Sequence, residues 1–199
     1  AFNPRDKKSV SYALSLLETY DLKGLKLHTR AVETDPSKIP QLVFKKIREL
    51  DKPLVLHIGK EGELERKSVD ISLNAAMKVA RKNPGNRFVF THLGRLHKKI
   101  TEALKLENVV ADTAALSLKG IEGTFLTYSS HPILAILNPK GIISRLVEMG
   151  YEDKLLWGSD EPYGLSYISE LEYIKENDQL DKNCIEKLLY KNAREWFGI

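Results

Sequence analysis

FVFTH, residues 88–92, is an apolar, β-rich run that stops at a histidine. It is apolar at both odd and even positions, as a strand covered on both faces reads. The same form recurs as GLKLH at 24–28, LVLH at 54–57, VVAD at 109–112 and LLWGS at 155–159. Amphipathic segments of helical length lie between these runs. Val10, Leu14 and Leu17 stand at helical spacing, as do Ile39, Leu42, Val43 and Ile47 behind the start signal Asp35-Pro36-Ser37. Leu73, Ala76, Met77 and Ala80 form another stripe, stopped by Asn83-Pro84-Gly85. Ile143, Leu146 and Val147 follow Asn138-Pro139 and end at Gly150, and Ile185, Leu188, Leu189 and Trp196 mark a last helix capped by Asp181 or Asn183. Strand then helix, about five times over, predicts βα units around a parallel sheet in a single domain over 1–199. Periodicity alone fits an open doubly wound sheet and a (β/α) barrel equally well.

Composition narrows the function. With 199 residues, 42% hydrophobic and 29% charged, the chain has the make-up of an ordinary globular domain. Its one cysteine, Cys184, excludes an internal disulfide framework and a cysteine-rich zinc module. No apolar run approaches the roughly 18 residues of a membrane helix, and AFNPRDKK at 1–8 does not read as a secretory signal. The net charge of +4 is a mild excess spread along the chain, so neither nucleic acid nor membrane is expected as a partner. Cytoplasmic residence is the expectation.

The strand ends carry the chemistry. Four runs stop at His57, His92, Asp112 and Asp160, and the fifth contains Lys26 and His28. In a parallel sheet all C-terminal strand ends share one face, where active sites form in barrels and open sheets alike, so these side chains are expected to converge. Each has a plainer reading: a hydrogen-bonded structural histidine, a helix-capping acid, a solvated lysine. Their recurrence at one relative position argues against four independent caps. Imidazole with carboxylate is a ligand set for zinc, iron or manganese. Such an ion acidifies water, and a nearby histidine or aspartate accepts the proton. Other features read as structural. Trp157, Tyr163, Trp196 and Phe197 are expected to pack, Tyr128 to Pro132 to form a surface loop, and His97 beside Lys98 and Lys99 to be solvated. Cys184 has no adjacent histidine or acid, so a thiol nucleophile is not expected.

Taken in order, GLKLH at 24–28, PLVLHIG at 53–59, FVFTHLG at 88–94, NVVADTAAL at 108–116, LLWGSDEPYG at 155–164 and IEKLLYKNAREWFGI at 185–199 resemble the amidohydrolase superfamily. The likeness is to its branch of metal-dependent hydrolases and decarboxylases. It implies an incomplete TIM-type (β/α) barrel of about five parallel strands, equivalent to the family's strands four to eight, with intervening helices. It implies one divalent metal, zinc above others, with His57, His92 and Asp160 as ligands. Asp160 would also take the proton of the attacking water, and His92 would serve catalysis. Lys26 and His28 are expected to bind the substrate. Asp112 matches no ligand position in the family.

One departure matters. The family's first strand ends in a His-x-His pair, and none of His28, His57, His92, His97 and His131 stands one residue from another. The resemblance therefore places strands one and two, and most of three, outside this sequence, with AFNPRD as the tail of the third. A fragment of a longer enzyme, a shortened relative without catalysis, and a site completed by another chain all fit; an opening Ala behind a removed Met favours a short reading frame. Metal binding by this chain is expected to be weak or absent. The implied activity is hydrolysis of a small amide, ester or carboxylic-acid substrate by metal-activated water. The alternatives are decarboxylation, or a non-catalytic barrel remnant acting as an interaction module. Both edges of a five-stranded sheet would be open, and inward side chains such as Val55, Phe90 and Val110 would lack an opposing wall. This predicts a homodimer, or a missing N-terminal segment that completes the barrel.

Overall fold

The computed structural model describes residues 1–29, 31–58, 66–96, 99–114, 139–160, 171–172 and 174–199. Five strands form one sheet: β1 (Leu25–Leu27), β2 (Leu54–Leu56), β3 (Phe88–Phe90), β4 (Val109–Asp112) and β5 (Leu155–Leu156). All neighbours are parallel, and the spatial order is the chain order. A doubly wound sheet reverses its order at a switch point; this sheet does not, so it is the arc of an incomplete TIM-type barrel. The described helices include α1 (Lys7–Thr19), α2 (Gln41–Glu49), α3 (Arg66–Lys82), α4 (Ile100–Leu104), α5 (Pro139–Glu148), α6 (Lys182–Glu186) and α7 (Asn192–Phe197). Lys187–Lys191 forms a π-helical turn between the last two.

Register separates the two faces of the sheet. Leu25, Leu54, Phe88 and Val109 align in one row and Leu27 and Leu56 in another. Both rows pack with Val43, Ile47, Leu73 and Met77 of the helices in the main core. Lys26, Val55, Val89 and Val110 align on the opposite, inner face. Val89, Val110 and Leu156 form a second cluster with Trp196, against which Val55, Ala193 and Phe197 pack. Phe90 therefore belongs to the helix side, not to the inner wall expected for it; it is fully buried in the main core. The inner wall is also not bare. α7 runs under the N-terminal strand ends, where the Phe197 ring lies 3.5 Å from the Cβ that a side chain on Gly24 would place, and where Arg87 donates to the Glu195 carbonyl at 3.2 Å.

The edges differ as well. The groups of β5 that face away from β4 are not open. Asn192, buried, donates through Nδ2 to the carbonyls of Leu155 at 2.8 Å and Glu152 at 2.7 Å. The Trp157 N–H donates to the Leu188 carbonyl at 2.8 Å. That carbonyl lies in the π turn, whose widened i→i+5 pattern pairs the Asn192 N–H with Lys187 instead. At the other edge, Phe2 N–H donates to the Lys26 carbonyl at 3.3 Å, so the opening residues lie alongside β1.

Two local expectations change, and of two candidate caps one is chosen. Asp35 caps a 3₁₀ turn over Pro36–Lys38 rather than α2, which starts behind Pro40. α2 accordingly buries Val43, Phe44 and Ile47 and leaves Leu42 58% exposed. At the C-terminal helix the cap is Asp181, which accepts from the Cys184 N–H at 2.7 Å; Asn183 accepts from Lys191 instead. Burial raises the pKa of the Cys184 thiol. Among the described residues no helix is long and apolar enough to cross a membrane. His97, Tyr128 to Pro132, His131 and Tyr163 lie outside the described residues.

Candidate active site

Each of the first three strands ends within a residue or two of a histidine, and the parallel register brings the three imidazoles into a row. His28 and His57 stack with ring centroids 4.1 Å apart and planes 11° apart. His57 and His92 meet edge to face, centroids 4.9 Å apart at 76°. Both are buried. Two threonines tie the loops that carry them: Thr29 Oγ1 donates to the His57 carbonyl at 3.0 Å, and the Ile58 N–H donates to Thr91 Oγ1 at 3.3 Å.

The hydrogen bonds fix which nitrogen is which. His92 Nδ1 lies 2.9 Å from the Ala114 carbonyl. A carbonyl only accepts, so Nδ1 carries the proton and Nε2 of the neutral ring is a bare lone pair. That Nε2 faces His57 Nδ1 at 3.2 Å. In the neutral pair His57 Nδ1–H therefore donates to His92 Nε2. His28 uses Nδ1 to accept the Ala31 N–H at 3.2 Å, so its proton stands on Nε2.

Asp112 accepts two main-chain N–H groups through Oδ1, from His92 at 2.7 Å and from Ala114 at 3.2 Å. Burial pushes its carboxyl up to about 6, against the lowering influence of these bonds and of the Lys26 charge; Asp160 lies near enough for its charge to add to the rise. Asp160 has a left-handed backbone (φ 59°), as have His92 (φ 59°), Leu93 (φ 44°) and Gly94 (φ 56°). β-Carbon sterics make this conformation costly outside glycine, and such residues cluster at functional sites. Gly158, two residues before Asp160, lies so close to β4 that a Cβ there would stand 3.0 Å from the Ala114 Cβ.

Of the residues expected to form the site, His28, His57 and His92 come together directly. Lys26, Asp112 and Asp160 group electrostatically at the same sheet end. Among the described residues no three histidine, cysteine or acidic side chains stand close enough to make a full ligand set. The sequence reading left out Thr29, Thr91 and Ala114. Threonine directly after His28 and directly before His92 was the available signal for two of them; a carbonyl at Ala114 has none.

The comparisons agree with this architecture. A family model described as Amidohydrolase matches residues 1–199. The chain belongs to that amidohydrolase family. Its fold is similar to that of an uncharacterized TIM-barrel protein from Bordetella bronchiseptica, at 13% identity and TM-score 0.69, over 96% of this chain and 62% of that one. It is similar to 4-oxalomesaconate hydratase from Rhodopseudomonas palustris, at 16% identity and TM-score 0.61, over 96% and 60%. Dihydroorotase from Campylobacter jejuni matches at 19% identity and TM-score 0.59, over 100% and 63%. The chain thus spans somewhat under two thirds of the length of these solved relatives. No curated protein sequence matches it.

Proposed function

We propose that the strand ends form part of a single divalent-metal site, zinc above others, that activates water to hydrolyse a small amide, ester or carboxylic-acid substrate. One observation carries this: His57 Nδ1 and His92 Nε2 face each other at 3.2 Å, with the His92 tautomer set by a backbone carbonyl. Two nitrogens bound to one tetrahedral ion at 2.0–2.1 Å stand about 3.3 Å apart, so the spacing of the pair matches that of two ligands on one ion. A carbonyl on the far nitrogen is also the usual support of a ligating histidine. An ion held there supplies Lewis acidity towards water and a substrate carbonyl. To offer its Nδ1 lone pair His57 would move its ring proton to Nε2, and Asp160 would be the further ligand and the acceptor of the water's proton. His92, with its ring held by Ala114, keeps its lone pair on the same centre. Lys26, half-buried on the inner face, and His28, with its proton on Nε2, hold the substrate. A hydratase among the fold relatives accords with water as reacting partner.

Zinc titrated into the metal-free chain, with a pH indicator present, tests this. We expect weak binding in which the His57 ring proton moves from Nδ1 to Nε2, so the indicator should report little proton release from this ring. His57→Ala and Asp160→Ala should each remove binding, and His131→Ala should not. Zinc uptake indifferent to His57→Ala overturns the reading.

A further inference from the structure

His92 stands where β3 ends and the chain turns through three successive left-handed residues, His92, Leu93 and Gly94. Only the glycine does so without cost; for the other two the Cβ crowds the following carbonyl oxygen. Such a turn persists where its surroundings over-determine it. The β3–β4 ladder has its last aligned pair at Phe90 and Ala111, so sheet pairing stops short of His92. Beyond that point a side chain takes over. Asp112 Oδ1 accepts the His92 N–H at 2.7 Å and the Ala114 N–H at 3.2 Å. Ala114, so fixed, turns its carbonyl to His92 Nδ1 at 2.9 Å. One carboxylate thus anchors both the backbone of His92 and the group that reads its ring. Charge assistance makes such bonds roughly twice as strong as neutral ones.

We infer that Asp112 is a positioning residue: its carboxylate holds the His92 main chain in the left-handed turn and, through Ala114, keeps His92 as the Nδ1–H tautomer with Nε2 turned to His57. This deepens the metal-site reading and rests on it for its purpose. It also explains why an acid stands at this strand end while matching no ligand position.

The test is nitrogen-15 and proton correlation of the histidine rings in the labelled full chain, free of metal. The wild type should show His92 protonated at Nδ1 and bare at Nε2, with its amide strongly protected from exchange. Asp112→Ala should scramble that tautomer and expose the amide. Asp112→Asn, which keeps an acceptor oxygen, should restore both. Zinc alone, titrated into the same proteins, should bind roughly tenfold or more weaker to Asp112→Ala and within about threefold of wild type to Asp112→Asn, the range seen when a ligand's supporting group is lost or kept. An unchanged His92 tautomer in Asp112→Ala overturns the inference, and so does Asp112→Asn behaving like Asp112→Ala. If Asp112→Ala fails to fold, the wild-type amide decides: fast exchange at His92 overturns the inference, and slow exchange with a rescued tautomer in Asp112→Asn supports it. Zinc that fails to bind the wild type defeats the metal-site reading, while the ring spectra still decide on Asp112.

Discussion

Replacing Asn192 by alanine tests the edge closure of the sheet. The Asn192 amide is buried and serves two carbonyls, Leu155 at 2.8 Å and Glu152 at 2.7 Å. Alanine leaves both without a donor. A buried acceptor without a partner costs about 1–3 kcal/mol. The Leu155 carbonyl, on a fully buried strand, takes the upper part of that range, and the Glu152 carbonyl, nearer to solvent, the lower. The sum is about 3–5 kcal/mol, or a melting temperature lower by roughly 6–20 °C for a chain of this size. Asn192→Asp should be worse at neutral pH, since it sets a carboxylate against two carbonyls. Asn183→Ala, on the exposed side of the same segment, should stay within about 0.5 kcal/mol of wild type. Thermal melts and urea titrations give the energies. Amide exchange adds a local reading, because the Trp157 N–H bonded to Leu188 should exchange much faster once Asn192 no longer docks the π turn. An Asn192→Ala protein within 0.5 kcal/mol of wild type, with Trp157 still protected, would refute the edge-closing role.

Three further outcomes are expected. The Asp112 carboxyl is raised from 3.8 to about 6 in the folded chain, so it contributes stability that is fully present below pH 4 and lost as pH rises through 6. Asp112→Asn should therefore gain on wild type over that window by up to about 3 kcal/mol in urea titrations at stepped pH. Gly158→Ala pushes a methyl to within 3.0 Å of the Ala114 Cβ and should cost about 1–3 kcal/mol; the double variant with Ala114→Gly should recover most of it in a melt, and additive losses would show that the two do not touch. Light scattering at micromolar concentration should report a dimer, and a strict monomer that melts cooperatively and binds no hydrophobic dye would overturn this.

The sheet was legible because each strand is buried on both faces, and uninterrupted apolar runs announce that. The same property hid which face is which. Phe90 and Val89 are equally apolar, so nothing in FVF distinguishes the helix side from the inner wall. The histidines were legible as strand-end residues, and their convergence follows from parallel geometry. What holds them was not. The bonds to His92 come from the Ala114 carbonyl and the Asp112 carboxylate across the strand gap, and main-chain acceptors leave no mark in residue identity. The edge closure was hidden for a related reason: a π turn frees a carbonyl through backbone winding, and Asn192 in KNAREWF looks like any mid-helix asparagine. Asp35-Pro36-Ser37 misplaced the start of α2 because its signal was spent on a short 3₁₀ turn ahead of the helix.

The position of α7 has a consequence for how the chain reaches its fold during synthesis. Trp196 and Phe197 close the inner face of strands that begin at Leu25, and Glu195 takes the Arg87 side chain. The contacts that seal the first strand are therefore made by residues translated some 170 positions later. Until they leave the ribosome, β1 to β4 can align but their inner row of valines stays wet, and long loops must close before those contacts form. Nascent chains stalled at increasing length should thus remain sensitive to protease, or bound by chaperones, until α7 emerges, and become resistant in one late step.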